Sequence, residues 1–402
     1  MVFMVADTAK RLLFLALGAM FVQQTFASIG RTLPLVIAPA IIEDLHIDPA
    51  LVGVYVGAAA LASLVFQLGC GSFIIRYGAL RMSQVALVFL AAGMALAAAG
   101  PLLFFLISAI IGGGGAATST PASSHLLGRY SPPKQAPLVF SIKQTAVPAG
   151  LLLAGLLGPL MTLYWGWSGA LLVTAVACFL FAIMLEPLRG EFDSDRVPSR
   201  SFHFSDFRTT LAAVLKSKDL RELSLACFAF NGLQTAFTSY YVLYLTALNY
   251  DLAAAGLMFA IAMVIAVPMR IFWGWLGSGR VSPRRVMAGL SLGMAVSAVL
   301  MSLYSAAWHP LLIAAIATVM SATAMSWHGV LLSEAARLAP PGMRGAATGG
   351  VLSFGQVGAF ILPVIYAAQL AVTNSHGIGF LLCGVPALVV GIVMWRASAR
   401  AA

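Results

Sequence analysis

Charge is the scarcest thing in this sequence. Of its 402 residues only 9% are Asp, Glu, Lys or Arg, where a soluble domain carries about 25%. Acids are scarcer than bases, 13 against 23. That shortage excludes a water-soluble globule of this length, which could not cover its surface. Cysteine is sparse too. Cys70, Cys178, Cys227 and Cys383 each fall inside an apolar stretch with no metal-ligand spacing. They read as small buried residues, so neither disulfides nor a metal centre is expected. No His, Asp or Cys cluster stands out, and no nucleophile sits beside a base. The longest polar connection runs over residues 187–221, too short for a signalling or catalytic domain. No enzymatic activity and no cofactor are expected.

What is present is apolar. Hydrophobic residues make up 61% of the chain. They fall into repeated runs of the length that crosses about 30 Å of hydrocarbon at 1.5 Å per residue. Twelve such spans can be marked, over about 11–40, 51–75, 82–99, 101–126, 138–162, 166–186, 222–248, 252–277, 284–305, 308–334, 344–370 and 375–396. Turn signals separate several of them: Gly100–Pro101, Ser131–Pro133 and Pro340–Pro341. The first run is too long for the short apolar core of a cleaved signal peptide. The expected fold is an all-α membrane protein of twelve transmembrane helices. Residues 1–186 would form one six-helix bundle, 187–221 a cytoplasmic linker and 222–402 a second bundle. Within the linker, a helix lying on the inner membrane face from Ser205 and a plain solvated segment fit equally well.

The net charge of +10 first suggests nucleic acid or anionic lipid. Its distribution points to topology instead. If the N-terminus is inside, every Lys and Arg except Arg31, Lys143 and Arg270 falls on the inner side. The outer loops carry Glu43, Asp44, Asp48 and Asp251. This is the positive-inside asymmetry. It predicts a multi-pass protein of a bacterial inner (plasma) membrane with both termini cytoplasmic, no nucleic-acid partner, and the bilayer as its surroundings. A monomer is expected. Trp165, Trp167, Tyr304 and Trp308 fall at the outer edges, where an aromatic belt would sit.

Both halves carry a related phrase between their second and third spans: "GSFIIRYGALR" from Gly71 and "GWLGSGRVSPRR" from Gly274. Equivalent placement suggests a duplicated six-helix unit. This arrangement resembles the major facilitator superfamily, whose loop phrase is approximately G-x-L-A-D-R-x-G-R-[RK]. Gly71, Arg76, Gly78, Gly274, Leu276, Arg280, Arg284 and Arg285 match it. Ile75 and Ser278 stand where the family has an acid, which puts the family's usual charge latch at the inner gate in doubt. Gly150, Gly155 and Gly158 in "AGLLLAGLLGP" resemble the Gly-rich fifth helix often seen in antiporters. Residues 329–350 resemble the tenth-to-eleventh helix junction. The family's typical fourth-helix Arg is absent, and Ser108 precedes "IIGGGG".

Three cations remain inside spans. Each costs about 2.5 kcal/mol or more in hydrocarbon unless it faces a cavity or a partner. Arg270 lies seven residues before the end of its span, with no acid nearby in sequence. It either snorkels or binds an anion. Its position four before Gly274 resembles the oxalate/formate antiporter and monocarboxylate transporter families. There an eighth-helix Arg at this spacing binds the substrate carboxylate, so the resemblance implies that role for Arg270, with Gln67 its neutral counterpart before Gly71. Lys143 is read as snorkelling or as a second anion contact. The essential eleventh-helix Lys of the oxalate transporter has no equivalent in 344–370. Arg31, twenty residues after Arg11, is placed toward the outer end of its span, as a mouth residue drawing anions or an interfacial anchor.

Glu334 is the carboxylate within the spans. With Arg337 three residues on, and Arg76 and Arg280 in the loops, it is read as a gate latch, and secondarily as a proton site. Polar cavity candidates are Gln23, Gln24, Thr118, Ser119, Thr120, Asn231, Gln234, Thr238, Tyr241, Tyr244, Trp327 and His328. Gln234, Thr238 and Tyr241 share one helical face, which is either cavity wall or packing seam. His125 and His328 are titrating groups or packing donors. Three intramembrane cations against one peripheral acid favour a small organic anion as cargo, a carboxylate, moved with protons or against a counter-anion. Multidrug efflux is the alternative.

Overall fold

A computed structural model describes residues 2–132, 136–201, 211–212, 214–277, 281–339 and 344–400. Every element among them is a helix. Nine stretches are long and apolar enough to cross a membrane, and the bent second span, Leu51–Gln67 with Gly69–Tyr77, makes ten. One of the nine, Ile142–Phe192, is two spans joined at Gly166, which leaves helical geometry at φ 69° and ψ 169°. Only glycine takes that conformation without strain. Lys218–Ala247 is also long enough to cross but opens on a charged turn. The result agrees with twelve spans, and these are numbered one to twelve below.

Helix ends follow elementary chemistry. Ser217 and Ser282 accept bonds from the Leu220 and Arg285 amides as N-caps. Pro283 and Pro310 stand in the first helical turn, where a missing N–H costs nothing. Asn249 and Asn374 close spans seven and eleven at positive φ, which asparagine tolerates better than most residues. Span seven starts at Lys218, earlier than the sequence pattern suggests.

Three spans are broken where hydropathy reads as continuous. The first runs Val2–Val36, breaks at Ile37 and resumes as Ala38–Leu45. The fifth stops at Gln144 and resumes at Ala146. The tenth is Pro310–Ala324 and then His328–Leu338. Such breaks release backbone carbonyls inside the membrane, which is tolerated only where protein or a cavity meets them. Pro148 makes the point for the fifth span. It has no N–H to offer the carbonyl of Gln144 four residues earlier.

Spans one to six pack among themselves, as do seven to twelve. The halves meet mainly where span two crosses eleven and span five crosses eight. Exchanging the halves exchanges these two contacts. At the acidic-loop end the approach is backbone-close. A Cβ on Gly256 would lie 2.5 Å from the Gly155 carbonyl oxygen, and one on Gly53 would lie 2.1 Å from the Ala367 Cβ. The halves are in contact at this end of the molecule. Tyr304, expected in the outer aromatic belt, is instead buried, its hydroxyl donating to the Ile313 carbonyl at 2.8 Å. The four cysteines are free and buried. Residues 202–210, which hold Ser205 and the start of the expected surface helix, lie outside the described residues.

Candidate functional site

A cavity of about 220 Å³ lies between the halves, with walls from both. It extends from Thr32, Leu35 and Tyr55 on the acidic-loop side to Gln67, Gln144 and Leu332 toward the basic end. One water needs about 10–15 Å³ on the same measure, so a small organic molecule fits. Its charged lining consists of Arg31 from the first half and Arg270 from the second, with no Asp or Glu among the described lining residues.

The helix breaks hold Arg270. Its Nε donates to the Met325 carbonyl at 2.8 Å, the last carbonyl before the tenth span breaks. Its Nη1 donates to the Gln144 carbonyl at 2.7 Å, the one that Pro148 leaves without a helical partner. These acceptors fix the guanidinium plane between the halves and do not neutralise it. No carboxylate lies within ion-pair distance of it among the described residues.

Arg31 faces the cavity from span one. Because the first span resumes beyond Ile37, Arg31 is well inside the helix and lines the cavity. Behind it a side pocket of about 20 Å³ is lined by Tyr55, Ser108, Gly112 and Gly113. Arg31 thus lies beside Ser108, the residue found where the family's fourth-helix arginine is missing.

The polar walls are built twice. Gln24–Thr25 on span one corresponds to Gln234–Thr235 on span seven, and each glutamine is tied to the fourth span of its half. The Thr120 hydroxyl donates to Gln24 Oε1 at 3.2 Å, and Trp327 Nε1 donates to Gln234 Oε1 at 2.9 Å. Gln23 is buried behind this wall, bonded to Ser119. Trp327 stacks on His328 with centroids 3.6 Å apart. Asn231 donates to the Gly355 carbonyl at 2.8 Å, and Thr238 lines the same wall. Gln67, His328 and Gln356 each carry a buried side-chain polar atom with no bonding partner. Sequence reasoning missed Tyr55, Gln144, Thr235 and Gln356. The signal for two of them was "SIKQ" ending at Gln144 against "SFGQ" ending at Gln356, a second trace of the duplication.

Six candidates, Gln23, Thr118, Ser119, Tyr241, Tyr244 and Lys143, lie outside the lining. Tyr241 is fully buried, packed on Phe237 and Phe259, its hydroxyl unpartnered. Lys143 does not snorkel. It is 0% exposed, and its Nζ has no hydrogen-bond partner. It stands behind the cavity wall next to Gln144, and its charge interacts with that of Arg270.

At the basic end, Glu334 is buried and pairs with Arg337 of its own helix at 2.6 Å. Arg284 pairs with Asp219 and Glu222 of span seven, and the Arg76 guanidinium lies 5.4 Å from the Tyr77 ring centre. Arg280 lies outside the described residues. In the first half, the start of the connection packs against the loop phrase around Ile75 and Gly78. Asp193, nearly fully buried, accepts the amides of Leu80 and Arg81 at 2.7 and 3.0 Å, at the N-terminus of span three. Gly78 turns there at φ 100°, and a Cβ on it would strike Asp193. The Val197 amide bonds the Ile75 carbonyl at 2.7 Å, and Asp195 pairs with Arg129 and His125 at 2.9 Å. Burial raises the Asp193 carboxyl above its ordinary range, while the two amides pull it back. Asp193→Ala should therefore cost about 1–2 kcal/mol, as loss of a helix cap does. A thermal-unfolding scan in detergent should show a lowered midpoint. An unchanged midpoint would show that this strap bears no load.

The sequence model of the Major Facilitator Superfamily matches residues 20–363. Among solved structures, the fold is similar to a bacterial homologue of the human lysosomal transporter Spinster, in an inward-facing and occupied conformation. That match has a TM-score of 0.71 at 14% identity, over 95% of this chain and 96% of that one. The fold is also similar to the peptide transporter POT in complex with sulfate, with a TM-score of 0.76 at 16% identity, over 97% of this chain and 94% of that one. At these identities the likeness is one of fold. No curated protein matches the sequence significantly.

Proposed function

We propose that this chain, which belongs to the Major Facilitator Superfamily and is a secondary transporter, carries a small organic anion, a carboxylate, by alternating access. The observation that carries this reading is the charge of the cavity. Two arginines face it and no acid among the described residues does. A guanidinium stays charged in any surroundings and its fork matches a carboxylate. Closing the cavity around two uncompensated cations would be costly, and an anionic cargo removes that cost. Binding and occlusion are thereby linked, as exchange against a counter-anion or symport with protons both require.

The functional halves are 1–186 and 222–402. They rock about the midplane site, with the crossings of spans two and eleven and of five and eight as the closing surfaces. The basic loops and both termini lie on the cytoplasmic face of a bacterial inner membrane, on the strength of the charge asymmetry. Gln24, Gln67, Gln234 and Thr238 hydrogen-bond the cargo. Trp327 and His328 offer it a flat stacked face. Tyr241 and Lys143 support the site from behind the wall.

The test is uptake into proteoliposomes of a panel of carboxylates beside cationic dyes and neutral drugs. Accumulation of carboxylates without dye movement is expected. Dye or drug transport with no carboxylate uptake would overturn the anion reading and favour multidrug efflux.

A further inference from the structure

We infer that the cargo is a dianion, one acid group bound at Arg270 and the other at Arg31, so that each half of the carrier holds one end. The inference rests on the anion reading above and adds to it a count of charges and a division between the halves.

The count comes from the lining. Arg31 and Arg270 are its charged side chains, and no described lining residue is an acid. Neither cation is neutralised where it sits. Arg270 leans on two neutral carbonyls, those of Met325 and Gln144. Arg31 has no carboxylate within ion-pair distance among the described residues, and the neutral side chains of Tyr55 and Ser108 line the pocket beside it. A monocarboxylate would cancel one charge and leave the other enclosed. Two carboxylates on one cargo cancel both. Lys143 does not alter the count, because it stands behind the wall and its Nζ does not reach the cavity. A lysine can also give up its proton, which arginine cannot.

The division follows from the fold. Arg31 belongs to span one and Arg270 to span eight. A cargo touching only one of them can remain with one half when the halves part. A cargo bridging them draws both halves onto itself. This gives Arg31 a role distinct from that of Arg270. It sets specificity by rejecting cargo that lacks the second acid group, since such cargo leaves Arg31 buried and unpaired.

The experiment compares dicarboxylates of two to six carbons with their monoamides, which keep the shape and lose one charge. Uptake is measured in proteoliposomes for the parent, Arg31→Gln and Arg31→Lys. The parent should prefer the best dicarboxylate over its monoamide by about tenfold or more, the scale of one charge-assisted hydrogen bond. Arg31→Gln should bring that ratio close to one, and Arg31→Lys should restore part of it. Ligand-induced thermal stabilisation of the same variants in detergent should follow the same ratios and is read even where uptake is low. Equal handling of both compounds by the parent, or an unchanged ratio in Arg31→Gln, overturns the dianion inference and leaves the carboxylate reading standing. Failure of every carboxylate beside active dye transport removes both.

Discussion

Arg270→Ala should abolish carboxylate uptake in proteoliposomes, and Arg270→Lys should restore only a small part of it. Truncating one partner of a buried, hydrogen-bonded charge pair costs about 2–5 kcal/mol, or some thirtyfold to several thousandfold in binding. Alanine also strands the carbonyls of Met325 and Gln144, which the guanidinium now satisfies across two broken spans. The loss is therefore both of cargo affinity and of the link between spans five, eight and ten. Lysine keeps the charge but is a point donor on a flexible stem. It can serve one carbonyl or the cargo, not all three in one plane. Uptake measured beside a size-exclusion profile separates lost binding from misfolding. If both substitutions keep parental uptake of carboxylates, Arg270 does not hold the cargo.

Arg270 was legible because a cation stands out in an apolar run. What holds it was not. One acceptor depends on Pro148, whose missing N–H can be read from sequence only by someone already asking which carbonyl it abandons. The other depends on a break at Met325–Trp327 that contains no proline and no glycine. Hydropathy sees composition, and composition does not change across such a break. Arg31 was legible as a cation, but that it shares one cavity with Arg270 was not, because the two are 239 positions apart. Tyr241 shares a helical face with Gln234 and Thr238, yet the wall curves away from it and Phe259 covers it. Asp193 caps a helix 113 positions away in the chain. No local pattern announces a partner at that distance. The twelve spans and the two halves needed only length, period and loop charge, which are local quantities.

Gly256→Leu should stop transport as completely as Arg270→Ala while leaving cargo binding intact. Spans five and eight cross here with backbone against backbone. A Cβ on Gly256 would lie 2.5 Å from both the Gly155 carbonyl oxygen and the Pro159 Cγ. Neither can turn aside as a flexible side chain could, so the helices must separate. The contact between the halves at the acidic-loop end is then lost. The carrier is held in whichever state keeps that end apart. Gly53→Leu should act alike at the paired crossing of spans two and eleven, where the obstacle is Ala367. Gly256→Ala should retain part of the rate, since a methyl demands less separation than an isobutyl group. The cavity itself is not rebuilt by these changes, because neither Gly53 nor Gly256 lines it. Carboxylate-induced thermal stabilisation should therefore persist in Gly256→Leu and disappear in Arg270→Ala. That contrast distinguishes a carrier that binds but cannot close from one that closes but cannot bind. Parental uptake by Gly256→Leu would mean that this end need not close during the cycle, and the rocking scheme would have to be replaced.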